Sequence, residues 1–477
     1  MAGIGFELKK LFRQNSFLLS IRGYAYAAFV TVGPILSCIG VLTVLKELLE
    51  YMMVSYMERQ LFLAAVMYAF IFSLMIVSGF AMMLSRYVSD KIYKEEYEDI
   101  LPSLYGAICL CTFLGGIAGI LFYWHSPLSL AFKYGSYIVY MELIILFLLM
   151  VYVSAIKDYK KIVYGFLYGT LTIIVCAYVF IVHLRMKEIE GVLYAMDIGF
   201  FVTIIFIMRG VQRFFNTKSK KYFDFLICFQ EKPRLFLINF FYTAGIYIHN
   251  ILFWQSDLGI TVGDTFIAAP LYDISTFYAV LTILPATVIF VVKVETTFYD
   301  KYQQYFEAIV GGGGLHDIET AKKHMSEVLE RELIFLMEIQ LLISVAAIVI
   351  GVGILPVMGI SGLGLEIFNF LTLGYYTTAM MFMIMTVLLY YDDQKGALWI
   401  SFVFLVLNTV LTYVSIRLGE NYYGVGTIAA GAVSLLISIL RLKYLLKNID
   451  YRVFCSQPII TRPNNSRFAR FVRRLGA

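Results

Sequence analysis

The chain has 477 residues, 60% of them hydrophobic and 15% charged, with a formal net charge of +5 and a mean hydropathy of +0.79. Soluble domains carry about 45–50% apolar and about 25% charged residues, so a soluble globular protein is excluded. The apolar residues collect in continuous runs of about 18–24, the length that carries a helix across a hydrocarbon core about 30 Å thick. Only helices and closed barrels satisfy every backbone group in lipid. Barrel strands would alternate apolar and polar residues, and these runs do not. The composition therefore predicts an all-α polytopic membrane protein of about twelve helices.

The segment 1–23 reads as amphipathic, with Lys9, Lys10 and Arg13, rather than as a cleavable signal peptide. Predicted spans follow at 24–45, 61–84, 103–123, 137–156, 162–182 and 191–208, which form a first lobe over 24–208. A basic linker over 209–234 carries Arg209, Arg213, Lys218, Lys220 and Lys221. A second lobe over 235–440 holds spans at 235–254, 274–292, 333–353, 367–389, 397–416 and 423–440. Its long loop, 293–332, contains Gly311–Gly314 and then a helical, mixed-charge stretch from Glu319 to Glu332. A basic tail, 441–477, ends the sequence. Six spans on either side of a central linker suggest two six-helix lobes around a central cavity, a plan shared by many secondary transporters.

Orientation follows from the basic residues. With the N-terminus in the cytosol, 32 of the 38 Lys and Arg fall on the cytosolic side. Positively charged loops are retained inside, so both termini are expected there. The other side is short-looped and mildly acidic, with Glu47, Glu50, Glu58, Asp257, Asp264 and Asp273.

Catalytic signatures are missing. Gly311–Gly314 is followed by Leu315 and His316 rather than Lys and Ser/Thr, so it is no phosphate-binding loop. The five histidines are scattered, and the six cysteines form no metal-type pair and read as reduced packing residues. Asp392–Asp393 could hold a nucleotide-sugar metal but fits a solvated turn better. Neither a metal nor a cofactor is expected.

Ionisable groups inside spans are costly in lipid and normally face a bundle interior or a water-filled cavity. Glu142, Asp197, His249, Asn250 and Asp273, with Glu366 nearby, are predicted to form an acidic vestibule along the substrate pathway. The competing reading is that they are interfacial residues reaching water. Tyr242, Tyr247 and Tyr278 lie among them, with Phe277, Tyr375 and Tyr376, and aromatic faces suit passing sugar rings. Most of the 36 Tyr and 40 Phe are better read as packing or interfacial belts. Lys293 and Glu338 are a candidate inner gate, and Pro34 and Pro285, which interrupt spans, are candidate hinges.

The N-terminal string from Met1 through Gly5-Phe6-Glu7-Leu8-Lys9-Lys10 to Phe12, followed by Arg22-Gly23-Tyr24 and Gly33-Pro34, resembles the Pel exopolysaccharide export membrane proteins, the PelG family. Arg86–Lys91 and Tyr390–Asp392 are similar to that family as well, and length and span count agree over the whole chain. The resemblance implies the multidrug/oligosaccharidyl-lipid/polysaccharide exporter superfamily. It also implies export of a polymer of N-acetylated and partly free hexosamines in biofilm-forming bacteria. The partners it implies are a cytosolic glycosyltransferase and small membrane proteins of the synthesis complex. The residues leave two other classes open. One is a flippase for lipid-linked oligosaccharides or a cation-coupled antiporter, and the flippase would need cavity cations that the spans lack. The other is a membrane-embedded glycosyltransferase, for which only Asp392–Asp393 comes near a site.

Overall fold

The computed structural model describes residues 27–28, 31–156, 159–215, 219–360, 362–451, 466–468 and 470. The amphipathic segment expected at 1–23 and most of the tail after Tyr451 lie outside the described residues. Among those described, eleven helices are long and apolar enough to cross a membrane. The first expected span corresponds to a shorter helix, α1 (Gly33–Tyr51), whose last turns already carry Lys46, Glu47 and Glu50. The chain is thus an all-α membrane protein, apart from one small hairpin.

Two compact units make up the fold, divided at Gly33 and between Pro270 and Leu271. The first unit contains α1, α2 (Tyr56–Tyr93), α3 (Ile100–Tyr123), α4 (Leu130–Ile156), α5 (Tyr159–Tyr178) and α6 (Glu188–Phe214). It continues through the short α7 (Phe225–Glu231), α8 (Pro233–Trp254) and a hairpin of β1 (Ile260–Val262) and β2 (Phe266–Ala268). Ser55 opens α2 by accepting the Glu58 N–H at 3.3 Å, while its hydroxyl donates to the Glu58 carboxylate at 2.8 Å. A side-chain oxygen at that position satisfies one of the four N–H groups a helix start leaves over.

Because lipid is as apolar as Leu, helices in a membrane associate by close packing and hydrogen bonds rather than by the hydrophobic effect. The α5–α6 seam follows that rule: a Cβ on Gly199 would lie 2.1 Å from Ile173 Cγ1 and 2.8 Å from the Gly169 carbonyl. Only hydrogen fits there.

The expected division at 209–234 does not match these units, since α8, read as the first span of the second lobe, packs with the first. The reason is local. Asn239 Nδ2 donates to the Ser78 carbonyl of α2 at 2.6 Å, and the Phe236 ring lies over Gly79. Phe236 also meets Phe80 edge-on, and Trp254 stacks on Tyr68 at 4.7 Å. The hairpin is fixed to the same helix, with the Tyr68 hydroxyl donating to the Ile267 carbonyl at 2.7 Å and accepting its N–H at 3.2 Å. The linker itself is anchored too: Lys221 reaches Asp99 at 3.0 Å, beside Lys91 at 2.5 Å.

The second unit contains α9 (Pro270–Leu281), α10 (Leu284–Val292), α11 (Tyr299–Val310), α12 (Leu315–Ile354), α13 (Leu363–Tyr390), α14 (Gln394–Leu418) and α15 (Val425–Lys447). Ala27 and Val32 pack there against Val288, Val291 and Val292. The expected loop at 293–332 is helical through most of its length. A π-helical turn, Lys293–Phe298, leads into α11, and α12 runs 40 residues without a break. At 1.5 Å per residue that is about 60 Å, twice the thickness of a hydrocarbon core.

Candidate functional site

Two buried acids of the first unit stand on α4 and α6. Both helices are almost continuously apolar, Glu142 being the one charged residue in 134–156 and Asp197 the one in 191–208. Cross-bonds at their starts set the register: Ser129 Oγ donates to Glu190 at 2.8 Å, and Tyr194 Oη donates to the Ala131 carbonyl at 3.1 Å. From there Asp197 lies about 5 Å along α6 and Glu142 about 16 Å along α4, at 1.5 Å per residue. Glu142 is 8% exposed and Asp197 9%. Glu142 Oε2 and both Asp197 oxygens have no hydrogen-bond partner. Buried charge without a partner is the costliest polar arrangement a protein can hold.

Met196, Phe200 and Thr203 of α6 line a small cavity with Thr170 of α5 and Cys38 of α1. It has about the room that a single water needs.

The other predicted pathway residues are distributed elsewhere. His249 and Asn250 are buried, and Tyr242 and Tyr247 half-buried, on α8, which packs on α2 rather than alongside the acid pair. Asp273 and Tyr278 are half-buried on α9 of the second unit. Pro34 stands in the first turn of α1, immediately after a break at Val32. Pro285 stands in the first turn of α10, immediately after the break at Thr282–Ile283 that separates α9 from α10.

The inner gate pair is corrected. Lys293 Nζ pairs with Glu332 at 3.3 Å, not with Glu338, and its ammonium also lies 5.0 Å from the Phe335 ring. Glu332, Leu336, Gln340 and Ser344 recur every four residues and form the buried stripe of α12. Glu338 is six residues on from Glu332, well round the helix at 100° per residue, and is exposed.

Sequence reasoning missed that stripe. Gln340 Nε2 donates at 2.8 Å to the Thr282 carbonyl, which the α9–α10 break leaves without a helical donor, and at 3.2 Å to Ser344 Oγ. A period-four row of polar residues inside an apolar helix was the available signal.

Asp393, expected on a solvated turn, is instead buried. It accepts the Gly396 N–H at the start of α14 and holds Arg441 of α15 through two bonds of 2.7 and 2.9 Å. Among the described residues no three His, Cys, Asp or Glu side chains are grouped to hold a metal. Outside the spans, Asp450 accepts bonds from Tyr305 Oη at 2.9 Å and from Lys322. Burial would raise its carboxyl, but the Lys322 and Tyr305 hydrogen bonds outweigh it and hold Asp450 below the usual aspartate range.

Eleven apolar spans among the described residues, buried polar groups within several of them, and a span broken beside a proline are features of a multi-pass helical membrane protein. The likeness to solved structures agrees. An outward-facing multidrug resistance transporter of the MATE family, in the MOP superfamily, shares 13% identity at a TM-score of 0.58 and covers 89% of this chain and 96% of its own. A MOP superfamily transporter from Pyrococcus furiosus shares 14% identity at 0.58 with the same coverage, and the MATE transporter ClbM, solved with Rb+, shares 13% at 0.59. Such identities show the fold alone. No curated protein matches by sequence. Residues 1–454 match the family described as "PelG: Putative exopolysaccharide Exporter (EPS-E)", and the chain belongs to that family. Family and fold alike are those of transporters rather than enzymes.

Proposed function

We propose that this protein exports a hexosamine-rich exopolysaccharide of the Pel type across the bacterial cytoplasmic membrane during biofilm matrix formation, with both termini in the cytosol. Membership of an exopolysaccharide exporter family over residues 1–454 is the observation that carries the reading. The distribution of 32 of 38 basic residues supports the orientation. In this reading Glu142, Asp197, Tyr242, Tyr247, His249 and Asn250 of the first unit, and Asp273 and Tyr278 of the second, each meet the sugar chain as it passes, with phenol rings stacking on pyranose faces and the acids attracting free amines. The Lys293–Glu332 pair closes the inner end, and Pro34 and Pro285 mark where spans bend. A cytosolic glycosyltransferase and small membrane proteins supply the polymer, and the basic tail 441–477 and linker 209–234 dock them.

Deleting the gene and restoring it with the full chain or with a chain lacking 455–477 tests all of this. Secreted hexosamine polymer should vanish on deletion while cell-retained polymer persists, and the full chain should restore secretion. Loss of both pools together would mean a synthase instead. The truncated chain should insert normally yet co-purify with less glycosyltransferase; unchanged co-purification would sink the docking role.

A further inference from the structure

The span Pro270–Val292 is interrupted at Thr282–Ile283, and the interruption changes which backbone groups pair. Thr282 and Ile283 give their N–H groups to Ala279 and Val280, three residues back, at 3.2 and 3.3 Å. Pro285 has no N–H to give Leu281. Ala286 donates to the Ile283 carbonyl at 3.1 Å instead of to Thr282, its partner in an unbroken helix. Lipid supplies no replacement donor. Gln340 Nε2 of α12 does, reaching the Thr282 carbonyl at 2.8 Å.

The Thr282 carbonyl thus has two alternative donors. In the bent arrangement it takes the Gln340 amide. In a straight one it takes the Ala286 N–H, α9 and α10 become continuous, and Gln340 is released. Pro285 leaves Leu281 unpaired in both, so neither arrangement satisfies the whole backbone.

Two observations distinguish this break from a static joint. Gln340 is fully buried, yet its Oε1 has no hydrogen-bond partner. A joint built for stability alone would satisfy both ends of the amide. The second observation is at the far end of α10. That helix has only nine residues before the π-helical turn Lys293–Phe298, where the register carries one extra residue per turn and can shift. The turn is also clipped to α12, through Lys293 and Glu332 at 3.3 Å, eight residues or about 12 Å along α12 from Gln340. Between its ends α10 packs Val288, Val291 and Val292 on Ala27 and Val32, aliphatic contacts with no directional bond to break.

We propose that α10 is a two-position segment, and that Gln340 is the positioning residue that holds it bent. During export the Thr282 carbonyl exchanges Gln340 for Ala286, and α10 moves against α12, which stays unbroken over its 40 residues. Hydrogen bonds between membrane helices are weak enough to exchange in this way. The link to export rests on the transport reading above; the two-position break does not.

Hydrogen exchange of the full-length protein in nanodiscs, read by mass spectrometry over residues 279–289, tests the break. Gln340→Leu removes the clip, so the straight helix should prevail and exchange there should slow several-fold. A static clip gives the opposite sign, because losing a tie loosens the kink. Faster or unchanged exchange would therefore overturn the two positions. Ala286→Pro, in the first turn of α10 where proline is tolerated, removes the competing donor. Its exchange should equal or exceed the parent's, and slower exchange would also overturn the proposal.

In cells each variant holds one position, so secreted polymer per unit of protein should fall several-fold in both. Full secretion by either would overturn the link to export. Failure of the parent chain to restore any secretion to a deletion strain would sink the transport reading and leave the exchange result standing.

Discussion

The two units bury polar groups in opposite ways. In the second unit each buried carboxylate among the described residues has a cation: Glu332 meets Lys293 at 3.3 Å, and Asp393 holds Arg441 through two oxygens. The other fully buried polar groups described along its spans are amides and hydroxyls such as Gln340, Ser344, Thr372 and Thr412. In the first unit Asp99 is paired near the start of α3, but Glu142 and Asp197, deeper in their spans, keep orphaned oxygens. The second unit therefore spends its polar residues on joining helices. The first leaves two buried acids with orphaned oxygens inside apolar helices.

Removing a partner in the second unit is the sharpest way to test that contrast. Arg441→Leu strips the cation from Asp393, which is only 4% exposed. Breaking a buried pair by removing one partner costs about 3–5 kcal/mol. Thermal unfolding in detergent should drop strongly and protein yield with it, and a variant as stable as the parent would erase the distinction between the units. Gln340→Leu comes next. It leaves the Thr282 carbonyl without its side-chain donor at the α9–α10 break and should cost about 0.6–1.7 kcal/mol, the range for hydrogen bonds between membrane helices. No loss of stability would mean that water or another group caps the break.

The smallest effect belongs to Asp450. Its folded carboxyl titrates below the unfolded one, so its contribution is present above the unfolded value and is lost as pH falls through the folded value. Acidification from pH 5 to 3 should weaken the contact of α11 and α12 with the end of α15, and Asp450→Asn should flatten that part of the stability profile. Because the site is part-exposed, the change should be slight, visible as faster hydrogen exchange around Tyr305 and Lys322. Unchanged exchange would show that the contact carries no charge dependence.

Several buried polar positions were legible from the residue types alone. Glu142 and Asp197 stand out because each is the single charge in a long apolar run, and Lys293 because it ends one. Their partners were not legible. Glu332 and Glu338 are both glutamates near the same helix face in a linear reading, and only the four-residue recurrence of Leu336, Gln340 and Ser344 shows which points inward. Asp393 reads as half of an acidic pair until Arg441, 48 residues later, is seen to hold it.

Sequence alone determined that the chain crosses a membrane many times as helices, because lipid offers no hydrogen-bond partner and each span must satisfy its own backbone over a length set by the bilayer. Only the tertiary structure decided which spans belong together and that α8 lies with the first unit. Those outcomes depend on contacts such as Asn239 with Ser78 and Phe236 over Gly79, made between residues some 160 positions apart. Hydropathy is a local sum and contains no term for such contacts; between helices that are equally apolar, shape and a few hydrogen bonds choose the neighbour.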